Sequence, residues 1–451
     1  MSKTIDNYAT ATAGGLAAAL AAGTVSALEL ADAAIARIEA TDGPINAVVV
    51  RDFDRAMAAA KATDIALAKG ERGPLLGVPM TVKESFNVAG LPTTWGIESA
   101  KDWIAPADAV AVARLKAAGA VILGKTNVPP FLADWQSDNR VYGRTNNPHD
   151  LSRTCGGSSG GAAAALAAGM TPLEFGSDIG GSIRVPATFC GVMGHKPSYN
   201  LVPLRGQEPP GLEGTDIVLG VVGPLARCAA DLALALKITA GPAGDEARGY
   251  QAALPGPRHE SLTDFRVLLI DHHPMAALDD EIRTCLHQTV SRLQAAGVRV
   301  DLHSDLLPDL AATFGLYSTM LSTAMSYGGP SMGELPNAHQ WFDALNGQYA
   351  VRKQWARVFE DYDVVLAPVM GVVAFPHDDS PFNSRIHVIN GQDTVYGNQV
   401  AWPGMATLAN LPATSMPIGA TRTGLPIGMQ IIGPYLEDYT TLKFAALMEA
   451  F

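Results

Sequence analysis

Short apolar runs alternate with stretches of helical periodicity along most of this chain, and that alternation restricts the fold more than any other feature. Leu75 to Val82 is an apolar run containing Gly77 and Pro79, and it leads directly into Lys83-Glu84-Ser85. It reads as a buried strand ending at Lys83. Ala107 to Ala118 has helical spacing, Gly119 suits a C-terminal cap, and Val121-Ile122-Leu123 is a short strand. Phe265 to Ile270, Asp279 to Ala296 and Val298 to Val300 repeat strand, helix, strand, and another strand is expected near Val364 to Ala367. The result is an α/β sheet protein.

Both flanking regions read as helical. Residues 1–70 contain the capping box Ser26-Ala27-Leu28-Glu29 followed by Leu30, Ala33, Ala34 and Ile38, and a second helix is expected over Asp54 to Ala68. The segment 306–360 carries Phe314, Tyr317, Met320, Met325, Trp341 and Phe342, which suit ordinary core or the wall of a substrate pocket. No repeat or linker is visible. Gly206 to Gly214 and Ala240 to Gly244 read as surface loops, so 1–451 is expected to form a single domain.

The charge of −12, with no dense Lys/Arg cluster, makes nucleic acid a poor partner. Cys155, Cys190, Cys228 and Cys285 form no C-x-x-C pair, which argues against a disulfide framework or a zinc site and suits a reducing compartment. The first apolar run, Gly15 to Gly23, lacks a basic flank, and Gly160 to Met170 is far shorter than the roughly 20 residues that span a bilayer. A cytoplasmic protein with no membrane attachment is expected.

The chemistry concentrates in Cys155-Gly156-Gly157-Ser158-Ser159-Gly160-Gly161, an alanine-rich helix over 162–168, and Gly176-Ser177-Asp178-Ile179-Gly180-Gly181-Ser182-Ile183-Arg184. Two glycine-flanked serines suggest nests of backbone N–H groups of the kind a tetrahedral oxyanion requires. One such loop alone would read as a turn, but two set among apolar elements point to a site. A serine nucleophile needs a base. None of the ten histidines sits in a recognisable motif, and His195, in Gly194-His195-Lys196-Pro197, reads as structural. Lys83 is the candidate, because burial lowers a lysine from about 10.4 towards neutrality; its bland alternative is a strand-end amine reaching water.

These residues resemble the amidase signature hydrolases. The resemblance rests on Gly77-Val78-Pro79-Met80-Thr81-Val82-Lys83-Glu84, the Gly-Gly-Ser-Ser-Gly-Gly loop, and Gly176 to Arg184 with Pro186 and Ala187 following. Gly124-Lys125-Thr126-Asn127, Thr145-Asn146-Asn147-Pro148, Gly194 to Pro197 and Gly424 to Gln430 extend it over most of the chain from about Gly73. It implies a large mixed β-sheet covered by helices on both faces. Ser182 would be the nucleophile, Ser158, through an unusual cis peptide, the proton relay, and Lys83 the base. Backbone N–H groups of Ile179, Gly180, Gly181 and Ser182 would form the oxyanion hole, with Ser177, Gly157 and Ser159 in support. No metal or organic cofactor is implied. The partner would be a small amide, and a homodimer is left open.

Three rival readings are weaker. Gly119 to Thr126 satisfies the Walker A pattern, but its middle is strand-like and a helix precedes it. Gly156 to Gly160 fits the G-x-S-x-G elbow of an esterase with Ser158 as nucleophile and His377 or His387 as base, yet Asp150 to Thr154 before it is polar and Lys83 and Ser182 are left unexplained. The third is an amidotransferase A-like component that works within a complex. Trp135, Phe314, Tyr317, Met320 and Trp341 favour a hydrophobic or aryl amide, with ester or carbamate (urethane) cleavage as a side activity.

Overall fold

The computed structural model describes residues 7–327, 329–330 and 334–451. An eight-stranded sheet runs in the order Arg299–Asp301, Arg266–Leu269, Val364–Pro368, Pro426–Ile432, Ala413–Ala420, Met193–Lys196, Val221–Ala226, Leu173–Asp178. Arg266–Leu269 pairs in parallel with both neighbours, and the other pairings are antiparallel. The sheet is therefore mixed, as the resemblance implies. Val364–Pro368, Pro426–Ile432 and Val221–Ala226 are buried along their whole length, which is why they read as largely apolar runs rather than alternating ones.

A separate three-stranded sheet carries Lys83. Pro79–Lys83 pairs in parallel with Val121–Thr126, and Val48–Arg51 adds antiparallel on the far side. Gly124, Lys125 and Thr126 thus lie on a strand, so the Walker A pattern has no phosphate loop behind it. Val48–Arg51 interrupts a segment expected to be wholly helical: the helices are Ala13–Ala21, Ala27–Ile45 and Phe53–Ala68. Three consecutive valines, Val48 to Val50, favour the pleated surface over a helix. The capping box forms as expected, with Glu29 N–H donating to Ser26 Oγ at 3.1 Å and Ser26 N–H to Glu29 Oε2 at 2.8 Å.

In the 306–360 segment the helices are Leu310–Met325 and Ala338–Asp361, and parts of the connection, 328 and 331–333, lie outside the described residues. Asp150–Thr154 is a strand, though a partly exposed one in a two-stranded sheet with Asn146–Asn147. Among the described residues no helix is long and apolar enough to cross a membrane.

Candidate active site

Lys83 is the last residue of a strand whose five side chains are all buried, and its amine has no route to water. Nζ donates to Ser158 Oγ at 2.6 Å and to Ser177 Oγ at 2.9 Å. Burial pushes the amine well below the ordinary lysine value, and the nearby Asp178 carboxylate opposes that only in part. A strand-end lysine snorkelling to solvent is excluded.

Ser158 stands in the loop before the helix Gly160–Ala167, after a cis Gly157–Ser158 peptide. Ser159 joins the two serine loops: its N–H donates to Ser182 O at 3.0 Å, and its Oγ to Ser177 O at 3.2 Å. The glycines here serve packing more than positive φ. A side chain at Gly157 would run into the backbone of Asp134 and Trp135, and one at Gly161 into Asn127.

Ser182 lies in the turn between the strand Leu173–Asp178 and the helix Arg184–Phe189, and that turn is wrapped around the Asp178 carboxylate. Asp178 accepts from the N–H groups of Gly181 at 2.9 Å and Ile183 at 3.0 Å, and from Arg184 Nη2 at 2.9 Å and Nε at 3.1 Å. Burial alone would raise this carboxyl, but the fully buried Arg184 guanidinium outweighs it and holds it at about 2. The four expected donors differ in their partners. Gly181 N–H is consumed by Asp178, whereas the N–H groups of Ile179, Gly180 and Ser182 meet no protein acceptor among the described residues.

Ile179, Gly180 and Ser182 open onto a cavity of about 200 Å³ walled by Leu132, Trp135, Leu321, Met325, Phe382 and Val400. Asp134, the only charged side chain on that wall among the described residues, accepts from Arg385 Nη1 at 2.7 Å and Tyr396 Oη at 2.8 Å. Its charge is already matched. Of the apolar and aromatic residues expected at the pocket, Trp135 is there, but Phe314, Tyr317, Met320 and Trp341 are not on the wall. The helix Leu310–Met325 turns Ser318, Leu321, Ser322 and Met325 to the cavity and buries Tyr317, Met320 and Ala324 on another face. Composition identified the helix; its rotation was invisible.

Sequence reasoning missed Gln207. It belongs to a loop expected at the surface, yet it is buried and its Nε2 donates to Ser177 Oγ and Ser85 Oγ, each at 3.1 Å. The preceding Gly206, at φ +89°, packs against the Ala109 backbone where a side chain would collide. A glycine beside an amide side chain was the available signal. His195 is structural as read, bonded to Thr414 Oγ1 at 2.9 Å and Asp438 Oδ1 at 3.1 Å. His377 and His387 line a different cavity beside Phe375, and the Ser158 hydroxyl is engaged by Lys83. The esterase arrangement lacks its base.

A buried amine joined to serine hydroxyls, beside a turn with unpaired backbone donors, defines a hydrolase of the acyl-transfer type. The family model described as "Amidase" matches residues 29–328 and 331–442, and the chain belongs to the amidase signature family. It is 33% identical to the glutamyl-tRNA(Gln) amidotransferase A subunit of Acidothermus cellulolyticus, over 96% of this chain and 93% of that one. The fold matches a chain from the inhibitor-bound form of a vestigial protein complex described as revealing the evolutionary origins of an s-triazine catabolic enzyme, at 29% identity, 98% coverage of both chains and a TM-score of 0.84. It also matches a bacterial aryl acylamidase described as an amidase signature enzyme, at 25% identity, 98% and 96% coverage and a TM-score of 0.79.

Proposed function

We propose that this amidase-family hydrolase cleaves the C–N bond of a small, uncharged hydrophobic or aryl amide through an acyl-enzyme on Ser182. The observation that carries the reading is the Lys83 amine, fully buried and held at 2.6 Å from Ser158 Oγ. Neutral Lys83 accepts the Ser158 proton as Ser158 takes that of Ser182, whose Oγ bonds to the carbonyl carbon. The oxyanion is met by the N–H groups of Ile179, Gly180 and Ser182. Collapse breaks the C–N bond, the proton returns through Ser158 to the leaving nitrogen, and water then cleaves the ester by the same relay. Ser177 and Gln207 hold the amine in line, and Ser159 holds the two loops together.

The apolar wall and the matched charge of Asp134 support an uncharged acyl group, since a free carboxylate would find no cation on that wall among the described residues. Esters and carbamates present the same carbonyl geometry and are expected side substrates. The chain is read as one cytoplasmic amidase domain over 1–451, needing no metal or organic cofactor, with the helix Leu310–Met325 of the 306–360 segment walling the pocket.

A panel of amides, anilides, esters and carbamates offered to the purified chain, with the adduct of a fluorophosphonate located by mass spectrometry, tests this. Label on Ser182, lost together with activity in Ser182→Ala, is the expected result; label on Ser158 instead would refute it. The 33% identity to an amidotransferase component favours a second reading, a protein that works only within a complex. Release of amine by the chain alone decides against it.

A further inference from the structure

Ile179 and Gly180 line the cavity with N–H groups that meet no protein acceptor among the described residues, and two aromatic side chains hold the carbonyls of the same two residues. Tyr317 Oη donates to Ile179 O at 2.6 Å, and Trp135 Nε1 donates to Gly180 O at 3.0 Å. In a trans peptide the carbonyl of one residue and the N–H of the next point in opposite directions. The Gly180–Gly181 peptide is therefore fastened on both sides, by Trp135 at the oxygen and by Asp178 at the Gly181 N–H. The Ile179–Gly180 peptide is fastened on one side alone. Its N–H is the Gly180 donor that faces the cavity, and its oxygen is held by Tyr317.

Without that hydroxyl, a peptide leading into two successive glycines has little to keep it from rotating. The tyrosine itself is well placed to resist. It is 1% exposed, and its ring fills the space left by Gly404, where a side chain would strike it.

We propose that Tyr317 is a positioning residue for catalysis: it aims the Gly180 N–H at the oxyanion and so makes the helix Leu310–Met325 part of the oxyanion hole. The same helix walls the acyl cavity with Leu321 and Met325. A substrate that displaces this helix therefore misaims the donor, so acyl fit is read out in rate as well as in affinity. The proposal rests on Ser182 being the nucleophile.

The test compares Tyr317→Phe with Tyr8→Phe. Tyr8 is a second buried tyrosine whose hydroxyl donates to a backbone carbonyl, Met170 O at 3.1 Å, away from the site. Two rates are followed, hydrolysis of 4-nitroacetanilide and phosphonylation of Ser182 by a fluorophosphonate. Tyr317→Phe is expected to lower kcat and the phosphonylation rate about tenfold or more while KM stays within about twofold. Tyr8→Phe should lower the melting temperature comparably and leave both rates unchanged. If Tyr317→Phe does not fold, Gly404→Ala, whose added methyl would strike the Tyr317 ring, stands in: it should lower kcat in the same sense, and an unchanged kcat there also overturns the proposal. Rates of Tyr317→Phe matching those of Tyr8→Phe, or a rise confined to KM, overturn the proposal. Absence of label from Ser182 in the unmodified chain defeats the nucleophile assignment instead, whatever the variants do.

Discussion

Lys83 and Lys125 lie on neighbouring parallel strands, one register step apart, and both are fully buried. Lys125 donates to the carbonyl of Pro92 and to Thr93 Oγ1 at 2.8 Å. A carbonyl can only accept, so this setting calls for N–H groups, and the nearby Glu84 carboxylate favours the charged amine. Burial nevertheless brings Lys125 down to about 8. Lys83 meets hydroxyls, which donate as readily as they accept, and its amine is driven well below the ordinary lysine value. Burial is common to both residues. On the proposed mechanism, what separates a structural ammonium from a general base is whether the partner atoms can reverse the direction of the hydrogen bond.

If that contrast is right, substitutions at the two lysines should dissociate. Lys83→Met is expected to lower kcat about a thousandfold, the scale of losing a general base, with the melting temperature little changed. Lys125→Met should do the opposite, costing about 2 kcal/mol in urea unfolding by leaving Pro92 O and Thr93 Oγ1 without their buried donor, with kcat of the folded protein close to normal. A large kcat loss in Lys125→Met would erase the distinction. Because only unprotonated Lys83 can accept a proton, kcat/KM should climb with pH and level off above the lowered value of that amine; a flat profile from pH 5 to 9 would remove its role. Gln207→Leu, which takes one donor from Ser177, should reduce kcat about tenfold without altering the pH at which the profile levels.

The strand Leu173–Asp178 repeats the contrast with carboxyl groups, and predicts the smallest effect. Asp178 is ionised against Arg184, whereas Glu174 is bonded to Thr81, Thr126 and Thr171 hydroxyls, and burial holds it well above the usual carboxylate range. A raised folded-state value stabilises fully below the unfolded value of about 4.3 and loses that contribution as pH rises through the folded one. Glu174→Gln, an uncharged isostere, should cost under about 1 kcal/mol at acid pH and become more favourable relative to the parent as pH rises. Urea unfolding at pH 4 and pH 8 measures the difference, and a change in the other direction would mean that Glu174 is charged.

Much of the site could be read in advance because its residues are bound to local motifs. Lys83 ended an apolar run, and Ser158 and Ser182 stood in glycine-rich turns beside helices, so strand end, turn and helix start were each marked by composition. The failures have a shared cause. Gln207 came from a loop distant in sequence, and the pocket helix was identified with its rotation unknown. Both depend on which groups meet across the fold.

Alternating apolar and periodic stretches were enough to require an α/β sheet, and two serine turns with one lysine were enough to nominate the reacting groups, because backbone preference and side-chain chemistry are carried residue by residue. Whether that lysine could be a base depended on assembly. Desolvation arises only when separate strands and loops close over the amine, and the hydroxyls that face it at 2.6 Å and 2.9 Å lie 75 and 94 residues further along the chain.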